Sequence, residues 1–196
     1  MKIDPETHDS SLYRTLTGSV VPRPIGWIST TGPDGVDNLA PFSFFNVVSV
    51  DPPLVMFAPV DAGEGALKDT ARNVIDTGEF VHNVVTRDLA EAMNATSATL
   101  DADESEFDHA DLERAPSENV APPRVADAVV SFECELSDSM DVGAGTLILG
   151  EVVLVHVDDA VATDGKVDVE KVDAVGRLAG NWYASTADRF ELERPP

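Results

Sequence analysis

The sequence predicts a mainly β fold, an antiparallel barrel that is closed or nearly closed and has a few helices inserted between its strands. Short apolar runs recur along the chain and are separated by turns rich in Gly, Pro and Asp. Helical spacing of apolar residues occurs in only a few segments. Many strands with few helices are typical of barrels, and 196 residues, 43% of them hydrophobic, suffice for one domain over residues 1–196.

In the first half of the chain, Pro and Gly mark the element boundaries. Gly32-Pro33-Asp34-Gly35 has the composition of a tight turn, Asp51-Pro52-Pro53 blocks regular strand pairing, and Thr77-Gly78 is a helix stop. The predicted elements are an arm or short helix up to Leu16, strands at 19–31, 38–45 and 54–58, a helix within 63–77 that begins near Lys68, and a strand at 79–86.

The second half contains the clearest strands, 125–136 and 146–157, joined by a turn rich in Asp, Ser and Gly. Before them, Asp88 is expected to cap a short helix that runs through Met93. The acidic segment 98–123 contains three prolines and few large apolar residues, and is expected to cross the barrel surface as a loop. Loops of this length often border active sites.

The net charge of −23 arises from 36 acidic and only 13 basic residues. It argues against nucleic-acid binding, which needs a basic face. Resemblance to proteins of salt-loving archaea explains it, because salt screens the repulsion between surface carboxylates. The apolar runs are too short for a membrane span, and the start of the chain lacks a secretory signal, so a cytoplasmic protein is expected.

The single cysteine, Cys134, cannot form an internal disulfide, and its alternating strand predicts a small buried side chain, with a redox thiol as the minor alternative. The four histidines are scattered without metal-ligand spacing, so no metal is predicted. No nucleophile with a base partner is recognisable either, and no catalytic residue is assigned.

Three segments carry a family resemblance that covers nearly the whole chain. They are VVPRPIGWISTTGPDGVDNLAPFSFF at 20–45, KDTARN at 68–73 and GRLAGNWY at 176–183. Together they resemble the flavin reductase-like family of FMN-binding split barrels. The resemblance implies an antiparallel split β-barrel, bound FMN and a homodimer with sites near the subunit interface.

The resemblance also implies where FMN would be held. Lys68 supplies a cation for the phosphate, Thr70 a hydroxyl, and the following helix its unpaired N–H groups. Arg23 is a further candidate cation. Small side chains and backbone of the strand around 38–43 would border the isoalloxazine ring, where backbone amides could stabilise reduced flavin. The cofactor-binding residues so implied are Ser29, Thr30, Thr31, Asn38, Ala40, Pro41, Phe42, Ser43, Lys68, Asp69, Thr70, Asn73 and Tyr183.

Two aromatic groups are open to a simpler interpretation. Phe42, Phe44 and Phe45 are as typical of a core as of a cofactor wall, and at alternate spacing Phe42 and Phe44 are expected to share one face. Trp182 and Tyr183 either lie close to the flavin or anchor the dimer interface, and the sequence favours neither.

One departure from the family pattern concerns the electron donor. Short-form NAD(P)H:flavin reductases commonly carry Gly-Asp-His before a late strand, whereas this chain has Val142-Gly143-Ala144-Gly145-Thr146. The missing histidine weakens the case for NAD(P)H as direct donor, leaves a protein donor open and shifts the resemblance toward flavoredoxin-like members.

The sequence therefore predicts an FMN-binding oxidoreductase that passes hydride or electrons through bound flavin. Two alternatives stay open. One is a flavin-binding electron carrier or storage protein without turnover, and the other is a barrel that binds another phosphorylated or tetrapyrrole ligand.

Overall fold

One seven-stranded antiparallel sheet organises the chain, and a three-stranded sheet packs beside it. A computed structural model describes residues 2–7, 11–60, 67–101 and 103–195. The helices are α1 (Tyr13–Ser19), α2 (Asp69–Thr77), α3 (Ala90–Ala95) and α4 (Glu106–His109). The strands are β1 (Arg23–Pro24), β2 (Gly26–Thr31), β3 (Asp37–Phe42), β4 (Phe45–Val50), β5 (Pro53–Phe57), β6 (Glu79–Asn83), β7 (Arg114–Ala115), β8 (Arg124–Val125), β9 (Val130–Val142), β10 (Gly145–Val157), β11 (Ala162–Thr163), β12 (Lys166–Val167), β13 (Val175–Arg177) and β14 (Tyr183–Ser185).

The large sheet has the order β3-β2-β6-β9-β10-β5-β4. Its outer strands β3 and β4 are therefore consecutive in the chain, and the sheet curves into a barrel that stays open between them. This arrangement confirms the mainly β, antiparallel split-barrel prediction. In the described part of the chain, no helix has the length and apolar content needed to cross a membrane.

The opening between β3 and β4 explains why the predicted strand 38–45 is wrong at its end. The chain bends at residues 43–44, because it leaves the edge beside β2 and crosses to the edge beside β5. The bend also overturns the predicted alternation of the phenylalanines. Phe42 and Phe45 both enter the barrel core, whereas Phe44 is 36% exposed.

Prolines shorten the predicted first strand. Residues 19–31 were expected to be continuous, but α1 extends to Ser19 and the strand is divided into β1 and β2. Pro22 and Pro24 carry no N–H and cannot support a continuous ladder. β1 pairs instead with β13 in the small sheet.

The turn between the two late strands is shorter in the structure than the sequence predicts. Residues 137–145 read as a polar turn, but β9 continues to Val142 and β10 begins at Gly145, leaving only Gly143 and Ala144 between them. Leu147 pairs with Met140 and Ile148 with Ser139. Pairing with β10 thus keeps these polar residues in a β-strand, and their composition alone does not predict it.

Alternation along β2 builds two separate cores. Trp27 faces a cluster beneath α3 and α4, whereas its neighbour Ile28 faces the barrel interior. Cys134 is fully buried in that interior, as predicted, and burial raises the pKa of its thiol. Helix α2 follows the predicted start near Lys68 and stop at Gly78, and the earlier part of the predicted 63–77 helix falls largely outside the described residues.

Candidate functional site

A cavity of about 670 Å³ lies where β3, the start of α2 and the 96–106 segment meet. It adjoins the opening of the barrel, since β3 is one of the two outer strands. Eight of the thirteen predicted cofactor-binding residues line it: Asn38, Ala40, Pro41, Phe42, Lys68, Asp69, Thr70 and Asn73. The structure thus brings together two segments, 38–42 and 68–73, that lie far apart in the sequence.

The beginning of α2 presents donors to this cavity. Lys68 is the N-cap residue, in an extended conformation, and its side chain makes no capping hydrogen bond. The first-turn N–H groups of a helix have no intrahelical partner and carry the positive end of the helix dipole. Lys68, Asp69 and Thr70 all line the cavity, so this end of it is suited to an anion.

A chain of hydrogen bonds crosses the cavity wall from α4 through β3 to α2. The Glu106 carboxylate accepts from Asn38 Nδ2 at 2.7 Å and from the Leu39 N–H at 3.0 Å. Asn38 Oδ1 in turn accepts from the Thr70 hydroxyl at 2.7 Å. These bonds fix the orientation of the Asn38 amide and tie the start of α2 to the strand.

The threonines and serine of β2 lie behind this wall rather than in the cavity. Thr30 is fully buried and accepts from Asn73 Nδ2 at 3.1 Å, which supports α2. Ser29 points to the other face and donates to the Pro123 carbonyl at 2.5 Å. Thr31 donates to Asp37 Oδ1 at 2.8 Å. Three of the predicted hydroxyls are thus used inside the protein.

Ser43 and Tyr183 line a smaller pocket of about 110 Å³ next to the cavity. Pro41 and Ser97 line both spaces, so the two are adjacent. Tyr183 packs against the core cluster beneath α3, whereas its neighbour Trp182 is 74% exposed. The structure therefore separates the two aromatics, with Tyr183 beside the cavity and Trp182 on the surface.

Arg23, the second candidate cation, has a structural position. It is buried and donates to the carbonyls of Thr17, Val20 and Leu178, which joins the end of α1 to the turn after β13. Its Nε lies 3.5 Å from Ser43 Oγ. Because its guanidinium satisfies these carbonyls and it does not line the cavity, Lys68 is the better-placed cation.

The 96–106 segment supplies the cavity residues that sequence reasoning missed. Thr96, Ser97, Leu100, Glu104 and Glu106 line the cavity from this side. The length of the acidic segment was the one signal, since long loops often border sites. Nothing distinguished Glu106 from its acidic neighbours, because its importance depends on contacts with β3.

Arg114 anchors this segment to the barrel. Its guanidinium binds Asp37 at 3.0 Å and Asp108 at 2.7 Å, donates to Ser105 and stacks 4.8 Å from the Phe107 ring centroid. The hydrogen bond from Arg114 lowers the pKa of Asp108, and the charge of Arg114 adds to this effect. The wall that carries Glu106 is thereby held in place.

Acidic residues predominate around the cavity. Lys68 and Arg72 are the basic residues among its described lining, and Asp69 pairs with Arg72 at 2.9 Å. The acidic lining residues are Asp34, Asp69, Asp76, Asp101, Glu104 and Glu106. An anionic ligand therefore depends on Lys68 and the α2 amides, and salt that screens the carboxylates would aid its entry.

The open barrel with a cavity at its edge defines the split-barrel class. The profile of the "Flavin reductase like domain" family matches residues 17–171, more than three quarters of the chain. The chain belongs to this family.

Solved structures of related proteins agree with this assignment. Nitrilotriacetate monooxygenase component B from Bacillus cereus is 36% identical with a TM-score of 0.93, and the match covers 98% of each chain. The 2-nitrobenzoate 2-nitroreductase NbaA of Pseudomonas fluorescens is 32% identical with a TM-score of 0.90, covering 100% of this chain and 96% of the other. The family and these neighbours support a flavin-related oxidoreductase function and point to flavin binding.

Flavoredoxin of Desulfovibrio vulgaris (Miyazaki F) is more distant. It is 21% identical with a TM-score of 0.78, covers 98% of this chain and 97% of its own, and shows the fold alone. The relatives found among curated proteins come from both bacteria and archaea, so they do not support the expected haloarchaeal origin.

Proposed function

We propose that this protein is an FMN-dependent oxidoreductase that holds the flavin in the 670 Å³ cavity. The observation that carries the proposal is the uncapped start of α2, with Lys68, facing a cavity whose long wall is the outer strand β3. Cavities of about 300–1,000 Å³ are typical of cofactor sites. When bound, the flavin would accept hydride or electrons from a donor and pass them to an acceptor.

The donor set fits the phosphate end of FMN. A phosphate dianion needs several donors, and Lys68 Nζ and the first-turn amides of α2 supply them. The Thr70 hydroxyl already donates to Asn38, so its contribution is to orient that amide. We therefore assign the phosphate to Lys68 and the α2 backbone, with Thr70, Asn73 and Thr30 as support.

Glu106 suits the ribityl chain of the flavin. One carboxylate oxygen, Oε2, is engaged by Asn38 and Leu39, while the residue is buried and lines the cavity. Hydroxyl groups are donors, and a carboxylate is a strong acceptor for them. We assign Glu106 Oε1 to a ribityl hydroxyl, next to the phosphate end.

The ring is proposed to lie along the end of β3 and the bend after it, from Ala40 to Ser43, and the outer edge of β3 determines which backbone groups the ring contacts. The Leu39 N–H donates to Glu106 and not to β2, so at Leu39 and Pro41 the backbone N and C=O positions point away from β2, toward the open edge of the sheet. The Leu39 N–H is thus occupied, and Pro41 has none. The edge therefore offers carbonyl acceptors at these positions, where the sequence led us to expect amide donors.

Substitution of Lys68 tests the phosphate assignment. Lys68→Glu should weaken FMN binding by at least about tenfold, which corresponds to ~1.4 kcal/mol, because it replaces attraction by repulsion. Riboflavin lacks the phosphate, so its affinity should change little. Both ligands are titrated by fluorescence quenching in high salt, with Lys166→Glu in the exposed strand β12 as the matched control. Equal FMN affinity in both variants contradicts the assignment.

Anaerobic reduction distinguishes the oxidoreductase from a passive carrier. The flavin-loaded protein is mixed with NADH or NADPH and then with an acceptor, and the flavin absorbance is followed. Reduction and reoxidation over many turnovers support an enzyme. Bound flavin that neither pyridine nucleotide reduces leaves a protein donor, and failure to bind FMN, FAD and riboflavin rejects the proposal.

A further inference from the structure

The smaller pocket next to the cavity differs from its surroundings in charge. It has a volume of about 110 Å³, and its described lining residues are Ile25, Pro41, Ser43, Met93, Asn94, Ser97, Arg177 and Tyr183. That lining includes one arginine and no carboxylate, whereas six acidic residues line the cavity beside it. In a chain of net charge −23, such a basic pocket indicates an anionic ligand.

Arg177 is held in a defined orientation at this pocket. Its guanidinium donates to the Tyr183 hydroxyl and to the Gly180 carbonyl, and its Cζ lies 4.7 Å from the Tyr183 ring centroid. Two of the five N–H groups of an arginine are thus occupied, and the others can bind a carboxylate in a fork geometry. A side chain that is already ordered loses less entropy on binding.

Hydroxyl donors stand beside the guanidinium. Tyr183 accepts from Arg177, which leaves its own proton to donate. Within the described part of the chain, the Ser43 hydroxyl accepts a long hydrogen bond, 3.5 Å, from Arg23 Nε and donates none, so its proton can be donated to a ligand. Ile25 and Met93 add apolar side chains to the lining. A lining that combines hydrogen-bond donors with apolar side chains fits the carboxylate end of a small organic acid.

We propose that this Arg177 pocket binds the carboxylate of a small organic acid that accepts hydride from the reduced flavin, so that the acid is reduced and the flavin is oxidised. The inference rests on the proposed function, because it places the remainder of the acid across Pro41 and Ser97, which line both spaces, against the ring along β3. The pocket has the volume of about four water molecules, so it holds the acid group while the reacting part lies in the cavity.

Benzoate and its neutral counterpart benzamide test the charge recognition. Their binding to the flavin-loaded protein is measured by the change in the flavin absorbance spectrum and by calorimetry. Benzoate should bind at least about tenfold more tightly than benzamide. Arg177→Gln should abolish that preference, and Arg177→Lys should retain part of it, because lysine keeps the charge without the fork. Arg194→Gln, at an exposed arginine near the end of the chain, is the matched control.

The outcomes separate this inference from the proposed function. FMN affinity is measured for every variant, and the inference expects it to stay within about twofold of the wild-type value in Arg177→Gln. If FMN binds but benzoate and benzamide bind equally, the acid pocket is rejected and the flavin site stands. If benzoate competes with FMN, and Arg177→Gln weakens FMN instead, the pocket belongs to the flavin and the inference is overturned. Failure of FMN to bind rejects both proposals.

Discussion

His82 is a polar residue buried in the barrel interior among aromatic side chains. It lies on β6 between Phe45 and Phe132, with ring centroids 4.2 Å and 5.2 Å away. Its Nδ1 is buried without a hydrogen-bond partner among the described residues. Burial lowers the pKa of His82 to about 3, so the imidazole is neutral in the folded protein.

Because His82 can be protonated in mild acid only when the protein is unfolded, we expect the protein to lose stability there. The unfolded chain binds a proton at this histidine below about pH 6.5, whereas the folded protein does not until about pH 3. Stability contributed by the neutral form therefore falls as the pH decreases through 6.5, by ~2 kcal/mol between pH 7 and pH 5.

Urea unfolding of variants at the two pH values measures this contribution. His82→Gln should lose about 2 kcal/mol less than the wild type between pH 7 and pH 5, and His109→Gln, at an exposed histidine, should behave like the wild type. The same loss in wild type and His82→Gln would show that His82 does not titrate as its burial implies.

At the scale of single residues, sequence patterns identified those that belong to a local feature of the chain. Lys68 and Thr70 stand out because a helix start is a local feature, and both line the cavity. Glu106 did not, because its contacts with Asn38 and Leu39 join residues almost seventy positions apart. Ser29 was predicted to bind the cofactor through its hydroxyl, but the alternation of side chains along β2 places that hydroxyl on the face away from the cavity.

Among the elements, β10 depends on a glycine at the centre of the barrel. A Cβ at Gly150 would lie 2.2 Å from Cζ of Phe80, a fully buried side chain in the same core. The absence of a side chain at Gly150 therefore lets the Phe80 ring, which comes from β6, reach across the intervening strand β9 to β10.

Gly150→Ala should accordingly destabilise the protein by ~1–3 kcal/mol through overpacking. Gly18→Ala, in α1, provides the control, because its Cβ would make only an ordinary 3.8 Å contact with Ala179 and alanine favours a helix. The free energy of unfolding is measured by urea titration, and equal stability of wild type and Gly150→Ala would refute the packing argument.

The elements themselves were predictable where the hydrophobic period was clear. The helix that begins near Lys68 and stops at Gly78 was expected from its spacing and its glycine. The break at residues 43–44 was not, because it arises from the crossing between two sheet edges. Likewise, residues 137–142 form a strand through pairing with β10, although their composition is that of a turn.

For the whole molecule, an apolar surface at the end of α1 is the candidate dimer interface. Trp182 is 74% exposed and Val20 62% exposed, and Tyr13 and Leu16 are exposed as well. α1 and the turn that carries Trp182 lie side by side, because Gly18 faces Ala179 and Arg23 bonds to Thr17 and Leu178. We propose that two chains associate through this surface, as expected from the family.

The wild-type protein is expected to be a dimer, with twice the mass of one chain. Trp182→Glu should convert it to a monomer, because the substitution would bury a charge in the interface. Val169→Glu adds the same charge at an exposed apolar site elsewhere. Masses are measured by light scattering after gel filtration in high salt. A wild-type monomer, or a dimer that survives Trp182→Glu, would contradict this interface.

The overall negative charge was evident from the sequence, but which acidic residues surround the site depends on the fold. Six of the carboxylates line the cavity, so Lys68 acts within an acidic surrounding. The expected preference for high salt stays a prediction, as does a cytoplasmic location.

The most direct measurement is a crystal structure of the protein with FMN. The phosphate is expected at the first turn of α2 within hydrogen-bond distance of Lys68, and the isoalloxazine ring along the end of β3 and the bend after it, between Ala40 and Ser43. Flavin bound elsewhere, or in this cavity with its phosphate remote from α2, would contradict the proposed site.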